Sequence, residues 1–324
     1  MADIVLGLAS ARSPMVNFPP ERWQALGEAD QANTRLRRAD GHVVTYQELL
    51  QSSNPAIAKG LTSSIWERQY SAAQQHITTL ADTFTMVDPD VVLMMGDDQG
   101  VFIDDGNRPA FMVYRGEIFP TFIQSTTATP GPPKPAISIP QPVAVGLAEH
   151  IIKSLVDQEF DIADSVGLEL LESNQQRGGH EFGWAYNRLM RGQTKPIVPF
   201  ILNVHYPLTT PSPKRCYEFG QAIRRAIQGW PGNERVAVIG TGGLSVGVLE
   251  EDLDRNTLAA MGNHDVQALG KLNREWLQGP TGEILLWIAT AGAAGHLDME
   301  LLEYLPAYRS AGGTGCGLAF ARWQ

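Results

Sequence analysis

The side chains that move protons or hold metals are scarce here, with seven histidines and two cysteines in the chain. Cys216 and Cys316 lie too far apart to suggest a disulfide framework or a paired-thiolate zinc site. No His-x-His, His-Glu-x-x-His or paired-Cys spacing occurs. Two histidines stand out by context. His205 follows an apolar run in Asn203-Val204-His205-Tyr206-Pro207, where an acid–base group at a strand end is sterically possible. His180 sits among glycines and aromatics in Gly178-Gly179-His180-Glu181-Phe182-Gly183-Trp184, a setting that also suits a structural hydrogen bond. His42, His76, His150, His264 and His296 have polar or helix-surface contexts and read as incidental. Asp97-Asp98 could bind a metal or act as a base, although acidic turns that cap the next segment are commoner. Gly240-Thr241-Gly242-Gly243-Leu244-Ser245 follows an apolar run but matches a dinucleotide loop incompletely, since Ser245 stands where the third glycine belongs. Ser245 is not read as a nucleophile.

The elements that must position these groups are those of an α/β protein. Ile4–Leu8, Val91–Met95, Ile197–Val204 and Val236–Ile239 are short apolar runs of the kind that form buried parallel strands. Val143, Leu147, Ile151 and Leu155 recur every four residues, as do Cys216, Gly220, Ile223 and Ile227, and each set gives one apolar helical stripe. Pro213 suits the first turn of the second helix. Alternating strands and helices indicate a central sheet flanked by helices. Residues 17–85 read as a mostly helical excursion after the first strand. Thr126–Pro142 is Pro-rich and reads as a surface loop that holds neither helix nor central strand. In such sheets the working residues gather on loops beyond the carboxyl ends of the strands. Those loops are Ala9–Pro14, Gly96–Gly100, His205–Pro213 and Gly240–Gly247.

Composition narrows the partners. With 25 basic and 35 acidic side chains the net charge is −10, which disfavours nucleic acid and anionic membranes. The opening residues lack a basic leader region, and the longest apolar run, Ile284–Gly295, is too short to span a bilayer. A cytoplasmic protein is expected.

Read together, the loops resemble a family. Val92–Gln99, Tyr206–Gly220, Val236–Ser245, Thr281–Ile288 and Tyr304–Cys316 are similar, in this order, to blocks of the class III extradiol ring-cleavage dioxygenases. This is the LigB-type superfamily of the protocatechuate 4,5-dioxygenase β subunit, and the chain looks nearest the branch with 3-O-methylgallate dioxygenase. The resemblance runs nearly end to end and implies a single LigB-like domain over residues 1–324. It also implies an Fe(II) site of two histidines and one glutamate, with a further histidine for acid–base work. The glutamate matches Glu283. The first iron histidine, in a Ser-His-Ser-Pro motif, falls at Arg12 in Ala11-Arg12-Ser13-Pro14. The second falls at Gly100, and the acid–base histidine at Val246. Another family histidine matches His180, and its upstream companion falls near Gln175 or Gln176.

Glycine offers no donor, and guanidinium has no free lone pair and stays protonated. The expectation is therefore no family-type iron site and no cofactor. Arg12 could pair inertly with Glu283, or it could orient a carboxylate or phenolate. The first functional expectation is a metal-independent enzyme acting on a small aromatic or ring-derived carboxylate by hydrolase, lyase, hydratase or isomerase chemistry. His180, His205 and Glu283 would move protons, and Arg12, Ser13, Gln99, Tyr206, Gly243 and Ser245 would contact substrate. The alternatives are a non-catalytic subunit paired with an iron-bearing paralogue, and a dioxygenase with displaced ligands drawn from Asp97, Asp98 or His205. A homodimer or a hetero-oligomer with such a paralogue is expected.

Overall fold

The computed structural model describes residues 1–98, 103, 106–123, 137–168 and 181–324. The strands in chain order are β1 (Asp3–Ser10), β2 (Leu36–Arg37), β3 (Val43–Val44), β4 (Val91–Gly96), β5 (Phe111–Tyr114), β6 (Ile118–Ile123) and β7 (Ile137–Pro142). They continue with β8 (Ala163–Ser165), β9 (Ile197–Leu202), β10 (Arg235–Thr241), β11 (Val246–Val248), β12 (Met299–Tyr308) and β13 (Thr314–Trp323). The helices begin with α1 (Pro14–Asn17), α2 (Trp23–Asp30), α3 (Tyr46–Ser52), α4 (Ala56–Lys59), α5 (Ser63–Val87) and α6 (Val145–Asp157). They end with α7 (Glu181–Arg188), α8 (Pro213–Gly229), α9 (Glu251–Gly262), α10 (Val266–Gly270) and α11 (Ile284–Ala293).

One nine-stranded sheet organises the described residues, in the order β11-β13-β1-β10-β4-β9-β5-β8, with β12 paired to β13. Its centre is β1, β10, β4 and β9, all mutually parallel. These are the four apolar runs read as buried strands, and they are neighbours. Side chains alternate across a strand, so Ile4, Leu93, Val198 and Val238 enter one core while Leu6, Met94, Ile201 and Ile239 enter the other. The first core is covered by α6, α8 and α11 through residues such as Leu147, Ile223 and Trp287. The second is covered by α5 and α7 through Leu80, Phe84 and Phe182. The stripes at Leu147, Ile151 and Leu155 and at Cys216, Gly220, Ile223 and Ile227 are buried, whereas Val143 lies ahead of α6, half-buried and bridged to Ile197; Ser212 caps α8 by accepting from the Arg215 N–H.

One departure from expectation has a clear cause. Ile137–Pro142, inside the Pro-rich segment, pairs antiparallel with β6. A two-stranded ribbon has two free edges, so a proline without an N–H is tolerated where it would break a central strand. The rest of that segment, like Gln99, Gly100 and His180, lies outside the described residues. The long antiparallel pair β12–β13 extends the sheet beyond its parallel centre.

The run Ile284–Gly295 contains α11, whose residues are all buried. A helix apolar on every side belongs inside a core. Among the described residues no helix is long and apolar enough to cross a membrane. The helix packs closely on α8 because Gly220 has no side chain. A Cβ there would lie 2.0 Å from the Ala289 carbonyl oxygen and 2.6 Å from the Ala293 nitrogen. Backbone cannot yield as a side-chain tip can, so Gly220→Ala is expected to destabilise the fold by about 1–3 kcal/mol or more, read as a lower urea midpoint.

Candidate functional site

The four central strands run parallel, so their carboxyl ends lie at one edge of the sheet. Arg12 follows β1, Asp97 follows β4, His205 follows β9 and Gly243 follows β10. Two further carboxylates reach them. Glu283 ends the 3₁₀ turn Gly279–Glu283 just before α11, and Glu181 is the first residue of α7.

Arg12 is the hub. Its Nη2 donates to Glu181 Oε1 at 2.6 Å and to Glu283 Oε1 at 2.6 Å. The side chains of Arg12, Glu181 and Glu283 are only 12%, 2% and 6% exposed, so the cluster sits largely out of solvent. The outer oxygens are also held. Glu181 Oε2 accepts from the Asp97 backbone N–H at 2.5 Å, and Glu283 Oε2 accepts from the Gly243 N–H at 3.0 Å. Glu283 can come this close to the loop because residue 242 is glycine. Gly242 has φ +145°, and a Cβ on it would stand 2.5 Å from the Glu283 Cβ. The Trp287 indole pins the same loop by donating to the Gly242 carbonyl at 3.1 Å.

Burial pushes both glutamates above the ordinary carboxylate range, Glu181 strongly, and the guanidinium opposes that rise. Burial alone would lower the Arg12 pKa, but the facing Glu283 and Glu181 raise it, so the arginine stays charged. Asp97 turns its side chain the other way. Its Oδ2 lies 2.7 Å from His205 Nδ1, a contact ion pair without a well-aligned N–H···O bond. Burial disfavours the imidazolium, yet Asp97 outweighs it and holds the His205 pKa above its usual value. His205 is half-buried beside a narrow cleft lined by Asp97, Asp98, Arg108, Asn203 and Tyr206. The Arg108 guanidinium lies over the Tyr206 ring at 3.1 Å from its centre.

Most sequence-derived site residues converge here, but not all. Arg12, Glu283, His205, Tyr206 and Gly243 meet around this edge. Ser13 is buried with its hydroxyl beside the Cys316 thiol rather than facing the cleft. Ser245 is fully buried in a second cluster. Its N–H and Oγ donate to Asp254 at 2.9 and 2.6 Å, and Tyr304 donates to the same carboxylate at 2.7 Å. Gly243-Leu244-Ser245-Val246-Gly247 does spell Gly-x-Ser-x-Gly, yet Ser245 faces a carboxylate and no histidine, so it builds structure. Val246 lies in β11; its N–H donates to Thr281 Oγ1 and its carbonyl accepts from the same hydroxyl, just ahead of Glu283. The incidental histidines do local work. His76 pairs with Glu303, His150 with the Ala226 carbonyl and His296 with the Ile4 carbonyl.

Sequence reasoning missed Arg108, for which no local signal was available, and Glu181. The available signal for Glu181 was an acidic residue opening an apolar helix, a favoured position near the positive end of the helix dipole.

Asp254 carries its own consequence. Burial raises its pKa from 3.8 to about 6 despite the hydrogen bonds from Ser245 and Tyr304 that favour the ionised form. A raised carboxylate pKa means the folded state holds a proton that the unfolded chain has lost, so stability falls as pH rises from 3.8 to about 6. Asp254→Asn is expected to flatten that stretch of the stability profile by an amount of order 2–3 kcal/mol, measured by urea unfolding across the range.

The model for the catalytic LigB subunit of aromatic ring-opening dioxygenase matches residues 61–319. The chain belongs to this LigB family. Gallate dioxygenase from Pseudomonas putida is 34% identical over 102 residues, which are 31% of this LigB chain and 27% of that protein. An uncharacterized protein from Escherichia coli K12 matches with a TM-score of 0.47 at 10% identity, covering 78% of this chain and 92% of that one.

The iron that the LigB resemblance implies does not fit the residues present. Arg12 brings a cation, without a lone pair, to the first ligand position. Glu283, the retained carboxylate, already spends one oxygen on Arg12 and the other on Gly243. Among the described residues no group of three or more His, Cys, Asp or Glu side chains is arranged to hold a metal ion.

Proposed function

We propose that this LigB-family chain performs metal-independent acid–base chemistry on a small aromatic or ring-derived carboxylate, with His205 as the proton-moving group. The observation that carries this reading is the Asp97–His205 ion pair at the carboxyl ends of the parallel strands. A carboxylate on one ring nitrogen fixes the imidazole and supports its charged form, which leaves Nε2 to exchange a proton. The name of the gallate dioxygenase relative points to gallate, an aromatic carboxylate.

Arg12 is satisfied by two glutamates, so the anion-orienting part first expected of it is not assigned to it. His180 and Gln99, which lie outside the described residues, remain candidates for the same site. The protein is expected to act as a homodimer or with a paralogue.

The closed Arg12–Glu181–Glu283 cluster favours one other reading, a non-catalytic subunit beside an iron-bearing paralogue. The deciding experiment incubates chelated protein with a panel of phenolic acids and ring-fission products. Turnover that persists in chelator supports the enzyme. Absence of turnover throughout, together with co-purification of an iron-bearing paralogue, supports the subunit instead.

A further inference from the structure

We infer that Arg12 is a built-in counter-cation, a covalently attached replacement for a divalent metal ion at the strand-end carboxylates. The inference stands apart from the catalytic reading, since it concerns cation occupancy and stability rather than turnover.

Two buried glutamates from distant segments converge on a single nitrogen of Arg12. Each second oxygen is fixed by a backbone N–H, from Asp97 or from Gly243. Both carboxylates are thus held from behind and aimed at one point. Two anions held that way repel each other unless a positive charge lies between them. In a cation-binding pocket that charge is a diffusible ion; here it is the guanidinium. A diffusible ion can be lost to a chelator, whereas an arginine remains charged and attached. Arg12 also joins three parts of the fold, because it follows β1 and binds the residues that open α7 and precede α11.

The corollary is that removing the guanidinium uncovers a latent cation site. In Arg12→Met the chain keeps comparable bulk but loses the charge. Glu181 and Glu283 then keep their backbone hydrogen bonds but lose the cation that lay between them, with Asp97 and His205 adjoining. A divalent ion that prefers oxygen donors restores that positive charge.

The test uses Mn²⁺ as the probe, with equilibrium dialysis and thermal unfolding as readouts. The wild-type chain should retain no Mn²⁺ and melt at the same temperature in Mn²⁺ and in EDTA. Arg12→Met should melt lower, bind Mn²⁺ stoichiometrically and recover part of the lost melting temperature. Adding Glu283→Gln to that variant should abolish both gains. If Arg12→Met does not accumulate as folded protein, Arg12→Lys decides. Folded Arg12→Lys that excludes Mn²⁺ supports the inference, and unfolded or Mn²⁺-binding Arg12→Lys overturns it. Stoichiometric Mn²⁺ on the wild type that is lost on Glu283→Gln overturns it as well. So does an Arg12→Met protein with wild-type melting and no Mn²⁺ affinity.

Discussion

Arg12→Met lowers the stability of the fold by about 3–5 kcal/mol at neutral pH, the range found when one partner of a buried ion pair is removed. Arg12 is shared by two carboxylates that are 2% and 6% exposed, so the substitution takes the guanidinium from both. The carboxylates can lessen the penalty by taking up protons, and burial already raises the pKa of each. The sign follows by linkage. In the variant the folded state holds protons that the unfolded chain has released, so its deficit relative to wild type grows as pH rises. Urea midpoints at pH ~5.5 and ~8 should show the smaller loss at the acidic value. Glu283→Gln is milder, because Glu181 still balances the guanidinium.

His205→Gln removes the proposed proton acceptor and is expected to reduce turnover by about 10²–10⁴-fold while leaving the fold intact. The side chain is partly exposed, and no core packing rests on it. As a general base His205 works in its neutral form, so wild-type activity should rise with pH on a limb lying above the ordinary imidazole value of 6.5. Asp97→Asn removes the main influence raising that pKa, and burial then pulls it down. The variant's limb should therefore move to lower pH while its plateau rate falls, because the ring loses the carboxylate that supports its charged form. A pH–rate profile of both variants reads these effects. A wild-type plateau in Asp97→Asn would show that the ion pair is structural.

Much of this arrangement was legible in the chain itself. The apolar runs at Ile4, Val91, Ile197 and Val236 marked the parallel centre because strands buried on both faces read as short, near-continuous apolar runs. The loops after them followed from the rule that sites form at strand carboxyl ends. Arg12 and Glu283 were brought together by the family resemblance, and the structure joins them at 2.6 Å. Other parts were hidden for physical reasons. The buried strand β13 includes Gly315, Gly317 and Ala319, small residues of low strand propensity whose place in the sheet is decided by packing. Glu181 lies 169 positions from Arg12, and no local pattern says which acidic residue will turn inward. Ser245 stands beside the site in sequence, but its hydroxyl turns away to Asp254. A one-dimensional reading places a residue on a loop without telling which side of that loop its side chain takes.

The central claim is that the strand-end carboxylates are satisfied by Arg12, so that no iron is held there. It is tested most directly by loading the wild-type chain with Fe(II) under anaerobic conditions, removing free metal, and measuring iron per chain. The account predicts no retained iron, for the wild type and for Glu283→Gln alike. Stoichiometric iron on the wild-type chain, lost on Glu283→Gln, would contradict it.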